Sequence, residues 1–214
     1  MLNIHARSAV SKALVPLGTR LARAGVTPNS ITVVGTLGSV VAALVFFTQG
    51  WWFTGTMVIW FFVMLDILDG AVARAGGTGS TFGAVLDSSC DRIADAAVFG
   101  SLAWWFARHD QPWLLAASML CLVLGSLTSY IRARAEAAGL NATVGIAERA
   151  ERLIIVLVGT GLSGEHLRVP YVQAIALWIL VAASTITVGQ RLATVYQQSK
   201  AANTAPPSQP VATS

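Results

Sequence analysis

Long apolar segments constrain this chain more than any other feature of its sequence. Six apolar segments recur along it, at about 28–48, 51–74, 81–107, 112–138, 151–164 and 170–195. A helix of roughly 20 apolar residues is long enough to cross the hydrocarbon core of a bilayer. Only 11% of the 214 residues are charged, against about 25% in soluble domains, and the mean hydropathy is +0.65. The sequence therefore predicts an all-α, polytopic membrane protein with six transmembrane helices.

The two ends of the chain differ from this apolar body. Residues 1–24 interleave apolar positions with Arg7, Lys12, Arg20 and Arg23, a pattern that predicts an amphipathic juxtamembrane helix on the membrane surface. Residues 199–214 are rich in Pro, Ser and Ala, which predicts a disordered tail. The expected organisation is thus a surface helix at 1–24, a transmembrane domain at 25–198 and a tail.

The placement of Lys and Arg predicts how the chain lies in the membrane. With the N-terminus inside, eleven of the 14 Lys and Arg residues fall on the inner side, and only Arg108 and Arg168 fall outside. We therefore expect a multi-pass protein of the cell membrane, with its N-terminus in the cytoplasm. The basic residues are scattered at helix ends, which argues against nucleic-acid binding. Cys90 and Cys121 lie in apolar segments and have no disulfide or metal spacing.

Four aspartates lie close together in this apolar chain, at Asp66, Asp69, Asp87 and Asp91. A carboxylate within a bilayer is costly, so such residues normally face an ion, a partner or a cavity. The spacings of three and four residues place each pair on one face of a helix, and the short connection makes the two helices neighbours. Hard oxygen ligands suit Mg²⁺ or Mn²⁺, and four charges match two divalent ions. Two such ions are suited to displacement at phosphorus.

The same stretch carries a recognisable pattern. Asp66-x-x-Asp69-Gly70-x-x-Ala73-Arg74, eight residues, and then Gly83-x-x-x-Asp87-x-x-x-Asp91 resembles the signature of the CDP-alcohol phosphotransferases. The resemblance implies a homodimer of six-helix subunits that holds two Mg²⁺ or Mn²⁺ ions on the four aspartates. It implies that an acceptor hydroxyl displaces CMP from a CDP-linked lipid, with Asp91 as the base. It also implies donor contacts from Asn29, Ser30, Ile31, Thr32, Gly70, Arg74 and Ser80.

Arginines at three separate helix ends, within residues 129–136, 146–153 and 190–192, lie near the cytoplasmic level of the aspartates and predict a second anionic site, for the acceptor. Several arginines suit a phosphate monoester, because each guanidinium presents a fork of donors to its oxygens. These segments resemble the actinobacterial-type phosphatidylinositol phosphate synthases within the family, in which the position of Arg132 is commonly lysine. That resemblance implies CDP-diacylglycerol as donor and myo-inositol 1-phosphate as acceptor, with Arg132, Arg152 and Arg191 binding the acceptor phosphate.

Two other functions remain open at this stage. Glycerol 3-phosphate is also a phosphate monoester, so the arginines alone do not separate phosphatidylglycerophosphate synthesis from inositol phosphate transfer. A metal-ion transporter would also use membrane carboxylates. Against a transporter, the aspartates lie near one face, and no acidic relay crosses the other segments.

Overall fold

The structure is a computed structural model that describes residues 25–76 and 80–204, without the side chains of 65–76 and 202–204. Within these ranges the chain forms helices and connecting turns, with no strand, and the predicted all-α class is confirmed. The helices are α1 (Pro28–Phe46), α2 (Trp52–Gly76), α3 (Thr81–Arg108), α4 (Pro112–Ala137), α5 (Arg149–Leu162) and α6 (Val172–Thr204). A 3₁₀ turn, Phe47–Gln49, follows α1.

Helix starts follow from local residue chemistry. Thr27 caps α1, its side chain accepting from the Ser30 amide, and Pro28 stands in the first turn. Ser80 caps α3 by accepting from the Gly83 amide. Hydroxyl caps satisfy amides that have no intrahelical partner, and proline tolerates the first turn because its missing N–H is not needed there.

Three of the described helices are long and apolar enough to cross a membrane, at Pro28–Gln49, Pro112–Ala137 and Val172–Ala201. Helix α3 has 28 residues, but charged residues in its first half make it less apolar than these three helices. Helix α5 has 14 residues, about 21 Å at 1.5 Å per residue, which is shorter than the hydrocarbon core. The number of six spans therefore stays a prediction.

The described helices close into a bundle. Helix α1 packs against α2 and α3, α4 packs against α3 and α6, and α5 packs against α6 and α2. Fully buried aromatic and aliphatic side chains fill the centre, among them Phe47, Phe99, Leu102, Phe106 and Leu157. This arrangement brings the starts of α1, α3 and α5 into one site.

The predicted surface helix at 1–24 lies wholly outside the described residues, and the predicted tail at 199–214 lies partly outside them. Helix α6 continues to Thr204, into the segment for which we expected a disordered tail from 199. Ala201 and Ala202 have high helix propensity, which accounts for the extension.

Glu165, in the loop after α5, caps the start of α2. Its carboxylate accepts from the amides of Phe53 and Thr54, at 2.9 and 3.0 Å, and from the Thr54 hydroxyl at 2.6 Å. Burial by itself raises the pKa of Glu165, but these hydrogen bonds to the charged form outweigh it and hold the pKa at about 2. The loop between α5 and α6 is thereby tied to α2.

We expect Glu165→Gln to lower the stability of the protein by about 1–2 kcal/mol at pH 7, as for the loss of a charged helix cap. Because the folded pKa lies below the ordinary value of 4.5, the stabilisation is complete above pH 4.5 and declines as pH falls towards 2. Thermal unfolding of both proteins in detergent from pH 7 to pH 3 measures this difference. Glu136→Gln, at an exposed pair with Arg132, is the matched control, and an equal loss in both variants would contradict the prediction.

Candidate active site

Asp87 and Asp91 lie one turn apart on α3, and both are half-buried. The two carboxylates therefore share one side of the helix, as the sequence predicts. Asp66 and Asp69 fall within α2, but their side chains are outside the described part, as are the side chain of Arg74 and the surroundings of Gly70.

Asp91 pairs with Arg149, the first residue of α5. The Arg149 Nη1 atom lies 2.7 Å from Asp91 Oδ1, and its Nε lies 3.6 Å from Asp95 Oδ1. Asp95 is a further carboxylate of α3, one turn after Asp91, with a side chain only 8% exposed. Its other oxygen, Oδ2, lies 3.4 Å from Arg92 Nη2 and 3.4 Å from Arg152 Nη2. A row of alternating charges thus leads from Asp91 into the bundle.

The predicted donor residues gather where α1 and α3 begin. Asn29, Ser30, Ile31 and Thr32 form the first turns of α1, and Ser80 caps α3. A Cβ on Gly83 would lie 3.1 Å from Asn29 Oδ1 and 3.2 Å from Ser80 Oγ, so these two helix starts are adjacent. Helix N-termini present free amides that favour phosphate oxygens. Thr32 is buried and its hydroxyl donates to the Pro28 carbonyl, whereas Ser30 is exposed.

Arg152 and Arg191, two of the predicted acceptor arginines, are 3% and 4% exposed and meet at Thr128 of α4. Arg152 Nη1 donates to the Thr128 hydroxyl at 3.3 Å, and Arg191 Nη1 donates to the Thr128 carbonyl. The Nε of Arg152 is buried and makes no hydrogen bond within the described residues. A buried cation with an unused donor is the kind of group that a ligand satisfies.

The connection between α4 and α5, residues 138–148, is fixed to α6. The amides of Ile146 and Ala147 donate to the Thr187 hydroxyl at 3.2 and 3.1 Å, and Arg191 Nε donates to the Val144 carbonyl at 2.9 Å. Gly145 has φ +140 and Thr187 lies directly against the place of its absent Cβ. Only glycine adopts this backbone readily, so it allows the connection to lie against α6 beside the two arginines.

Arg132 is placed differently from the other two arginines. Its side chain is 46% exposed and its Nε donates to Glu136 Oε1 at 2.8 Å, one turn further along α4. It lies one turn after Thr128, the residue at which the two buried arginines meet. The acceptor role of Arg132 therefore stays a prediction, without the contacts that join Arg152 and Arg191.

A small pocket borders Asp91 and Arg149. Its walls come from four helices, and include Thr36 and Ser39 of α1, Phe62 of α2 and Val98 of α3. Asp91, the base that the family resemblance implies, thus lies at the edge of a pocket between these helices.

Our sequence interpretation missed Asp95, Thr128 and Arg149 as members of this site. Asp95 continues the four-residue spacing of Asp87 and Asp91, and this spacing was a usable signal. Thr128 and Arg149 carry no such signal, because their roles depend on which helices pack together.

The donor set is compatible with divalent metal. Two half-buried carboxylates one turn apart supply hard oxygen ligands of the type that Mg²⁺ and Mn²⁺ prefer. Among the described side chains, no three His, Cys, Asp or Glu residues are grouped for a metal ion. The full set of four ligands includes Asp66 and Asp69 and remains a prediction.

Comparison with known proteins agrees with the pattern on α2 and α3. The model of the CDP-alcohol phosphatidyltransferase family matches residues 25–188. The chain belongs to that family. The predicted enzyme class, CDP-alcohol phosphotransferase, is thereby confirmed.

The similar proteins within this family are phosphatidylinositol phosphate synthases. The phosphatidylinositol phosphate synthase of Mycobacterium marinum is 49% identical over 208 residues, which cover 96% of this chain and 88% of the relative. The crystal structure of the Mycobacterium tuberculosis synthase with CDP-DAG bound has a TM-score of 0.82 and 48% identity, over 86% of this chain and 94% of that one. The same synthase with manganese and citrate has a TM-score of 0.81 and 49% identity, over 86% and 88% of the two chains.

Gly125 of α4 provides a test of how Arg152 is placed in this phosphotransferase. A Cβ there would lie 3.2 Å from Arg152 Nε and 3.4 Å from its Cζ. Overpacking forces neighbouring side chains to shift, so we expect Gly125→Val to displace the guanidinium. The acceptor KM should then rise about tenfold, with the donor KM unchanged. Gly100→Val, at a helical glycine with no neighbour within 4 Å, is the control. An unchanged acceptor KM in Gly125→Val would show that Arg152 does not need this position.

Proposed function

We propose that this protein transfers the phosphatidyl group of CDP-diacylglycerol to myo-inositol 1-phosphate, giving phosphatidylinositol phosphate and CMP. The observation that carries the choice of a phosphate-bearing acceptor is the pair of buried arginines, Arg152 and Arg191, joined at Thr128. Two buried guanidinium groups suit an acceptor with a doubly charged phosphate, and a neutral or zwitterionic alcohol gives no reason for them. The choice of inositol phosphate among such acceptors is supported by the relatives, which are phosphatidylinositol phosphate synthases.

The donor side of the proposal uses the starts of α1 and α3. Asn29, Ser30, Ile31, Thr32 and Ser80 would hold the cytidine diphosphate part, helped by the free amides of the two helix N-termini. Gly70 and Arg74 belong to the same proposed contacts through the family pattern.

The proposed reaction is a single displacement at phosphorus. The acceptor hydroxyl oxygen forms a bond to the phosphorus that bears the diacylglycerol, the bond from that phosphorus to the bridging oxygen breaks, and CMP leaves with the electron pair. Asp91 takes the hydroxyl proton, while Arg152 and Arg191 orient the acceptor through its own phosphate. Two Mg²⁺ or Mn²⁺ ions held by Asp66, Asp69, Asp87 and Asp91 would neutralise the diphosphate and acidify the hydroxyl.

We propose a cytoplasmic active site in a multi-pass protein of the cell membrane. The starts of α1, α3 and α5 lie at one end of the bundle, and the sequence predicts that most Lys and Arg residues fall on that side. Arg108, the last residue of α3, and Arg168, after α5, lie at the opposite helix ends. The family resemblance supports a homodimer, which chemical crosslinking in membranes tests.

The test is CMP release by purified protein from CDP-diacylglycerol with Mn²⁺, for four acceptors given separately. We expect release with myo-inositol 1-phosphate and little with glycerol 3-phosphate, free inositol or serine. Chelation of the metal should abolish it. Preference for glycerol 3-phosphate would overturn the assignment of myo-inositol 1-phosphate as the acceptor. Metal flux into vesicles without CMP release would favour a transporter.

A further inference from the structure

Asp95 is a buried carboxylate to which neither the family pattern nor the proposed reaction gives a role. It lies on α3, one turn beyond Asp91, and its side chain is 8% exposed. Three arginines surround it, Arg92 from its own helix and Arg149 and Arg152 from α5. Removing a carboxylate from water is costly unless charged partners satisfy it. Its place in this site therefore needs a physical reason.

The two oxygens of Asp95 are divided between the two arginines of α5. Oδ1 faces Arg149 Nε at 3.6 Å, and Oδ2 faces Arg152 Nη2 at 3.4 Å. Arg149 also contacts Asp91 at 2.7 Å. The carboxylate thus fixes the spacing between the arginine beside the proposed base and an arginine of the proposed acceptor site.

The remaining contacts of Arg152 leave its orientation dependent on Asp95. Its Nη1 donates to the Thr128 hydroxyl and the Ala147 carbonyl, both at 3.3 Å, and these are neutral acceptors. Among the described contacts, Asp95 is the charged partner of Arg152. A charge-assisted bond is roughly twice as strong as a neutral one, so Asp95 contributes more to the orientation of this guanidinium than either neutral contact does.

We propose that Asp95 is a positioning residue that holds Arg152 at a fixed distance from the proposed base, so that the acceptor phosphate meets a preset cation. The inference rests on the proposed function, since it assigns Arg152 to the acceptor. Asp95 itself touches neither substrate nor metal in this proposal. Its effect reaches the reaction through Arg152.

The experiment is a double-mutant cycle with Asp95→Asn, Arg152→Lys and the double variant. Asparagine keeps the shape of the aspartate side chain but has an NH2 group in place of one carboxylate oxygen. That group is a donor, and it would face the N–H donor of an arginine. We expect Asp95→Asn to raise the KM for the acceptor phosphate about tenfold, while the donor KM and the Mn²⁺ affinity measured by calorimetry change less than twofold. Because residues in contact are coupled, the double variant should be no worse than Arg152→Lys alone.

Asp110→Asn, at an exposed loop aspartate, is the control for loss of a negative charge. Additive effects in the cycle, an unchanged or lower acceptor KM in Asp95→Asn, or equal losses in donor KM and Mn²⁺ affinity would each overturn the positioning role. If the wild type prefers glycerol 3-phosphate, the proposed function fails, and the cycle run with that phosphate still decides the role of Asp95. A wild type that uses neither phosphate overturns both.

Discussion

Asp91→Asn is expected to reduce kcat by at least about 10³-fold, with donor binding largely retained. General base catalysis contributes about 10²- to 10⁴-fold, and the amide neither takes the proton nor supplies a charged ligand. The substitution keeps the size of the side chain, and the pocket beside it retains its walls. Single-turnover CMP release with saturating Mn²⁺ measures the chemical step, and thermal shift with CDP-diacylglycerol measures donor binding.

Asp110→Asn again controls for the loss of one negative charge, at an exposed position between α3 and α4. It should have wild-type turnover. A kcat within tenfold of wild type in Asp91→Asn would contradict the role of Asp91 as base. Loss of donor binding in parallel with turnover would instead assign it to the donor site.

Arg152→Ala should raise the acceptor KM by about 10- to 100-fold, since a hydrogen bond to a charged group contributes about 1.5–3 kcal/mol. The donor KM should change little, because the predicted donor residues lie at the starts of α1 and α3. Steady-state kinetics with each substrate varied in turn separates the two constants.

Folding must be checked in this variant, because Arg152 is 3% exposed and its removal leaves Asp95 without that partner. Breaking a buried pair destabilises a protein by about 3–5 kcal/mol. Arg152→Lys keeps the charge and should show a smaller rise in the same KM. Arg134→Ala, at an exposed arginine of α4, should match the wild type, and unchanged acceptor kinetics in a folded Arg152→Ala would remove Arg152 from the site.

The sequence predicted the helices well because their limits depend on local chemistry. Thr27-Pro28, Ser80 and Pro112 are signals that act within one or two turns, and helices begin at each of them. The pairing of Asp87 with Asp91 is likewise a matter of helix periodicity. These features needed no knowledge of how the helices pack.

The contacts between distant helices were beyond such reasoning. Arg132, Arg152 and Arg191 were equivalent as charges at helix ends, but packing buried two of them around Thr128 and left Arg132 exposed. Glu165 had no local sign of capping α2, since its partners lie more than a hundred residues earlier. Burial and long-range capping depend on which faces meet, and periodicity does not specify this.

The attachment of residues 138–148 to α6 has a consequence for the order in which the protein is made. Thr187 and Arg191 belong to α6, which leaves the ribosome after the other described helices, and they hold the connection that carries Val144 and Ala147. Chains fold from their N-terminal side during synthesis. The starts of α1 and α3 are therefore available early, whereas the pair of buried arginines is completed only when α6 has entered the membrane. A nascent chain interrupted before α6 lacks Arg191 itself and the Thr187 hydroxyl that holds the amides of Ile146 and Ala147.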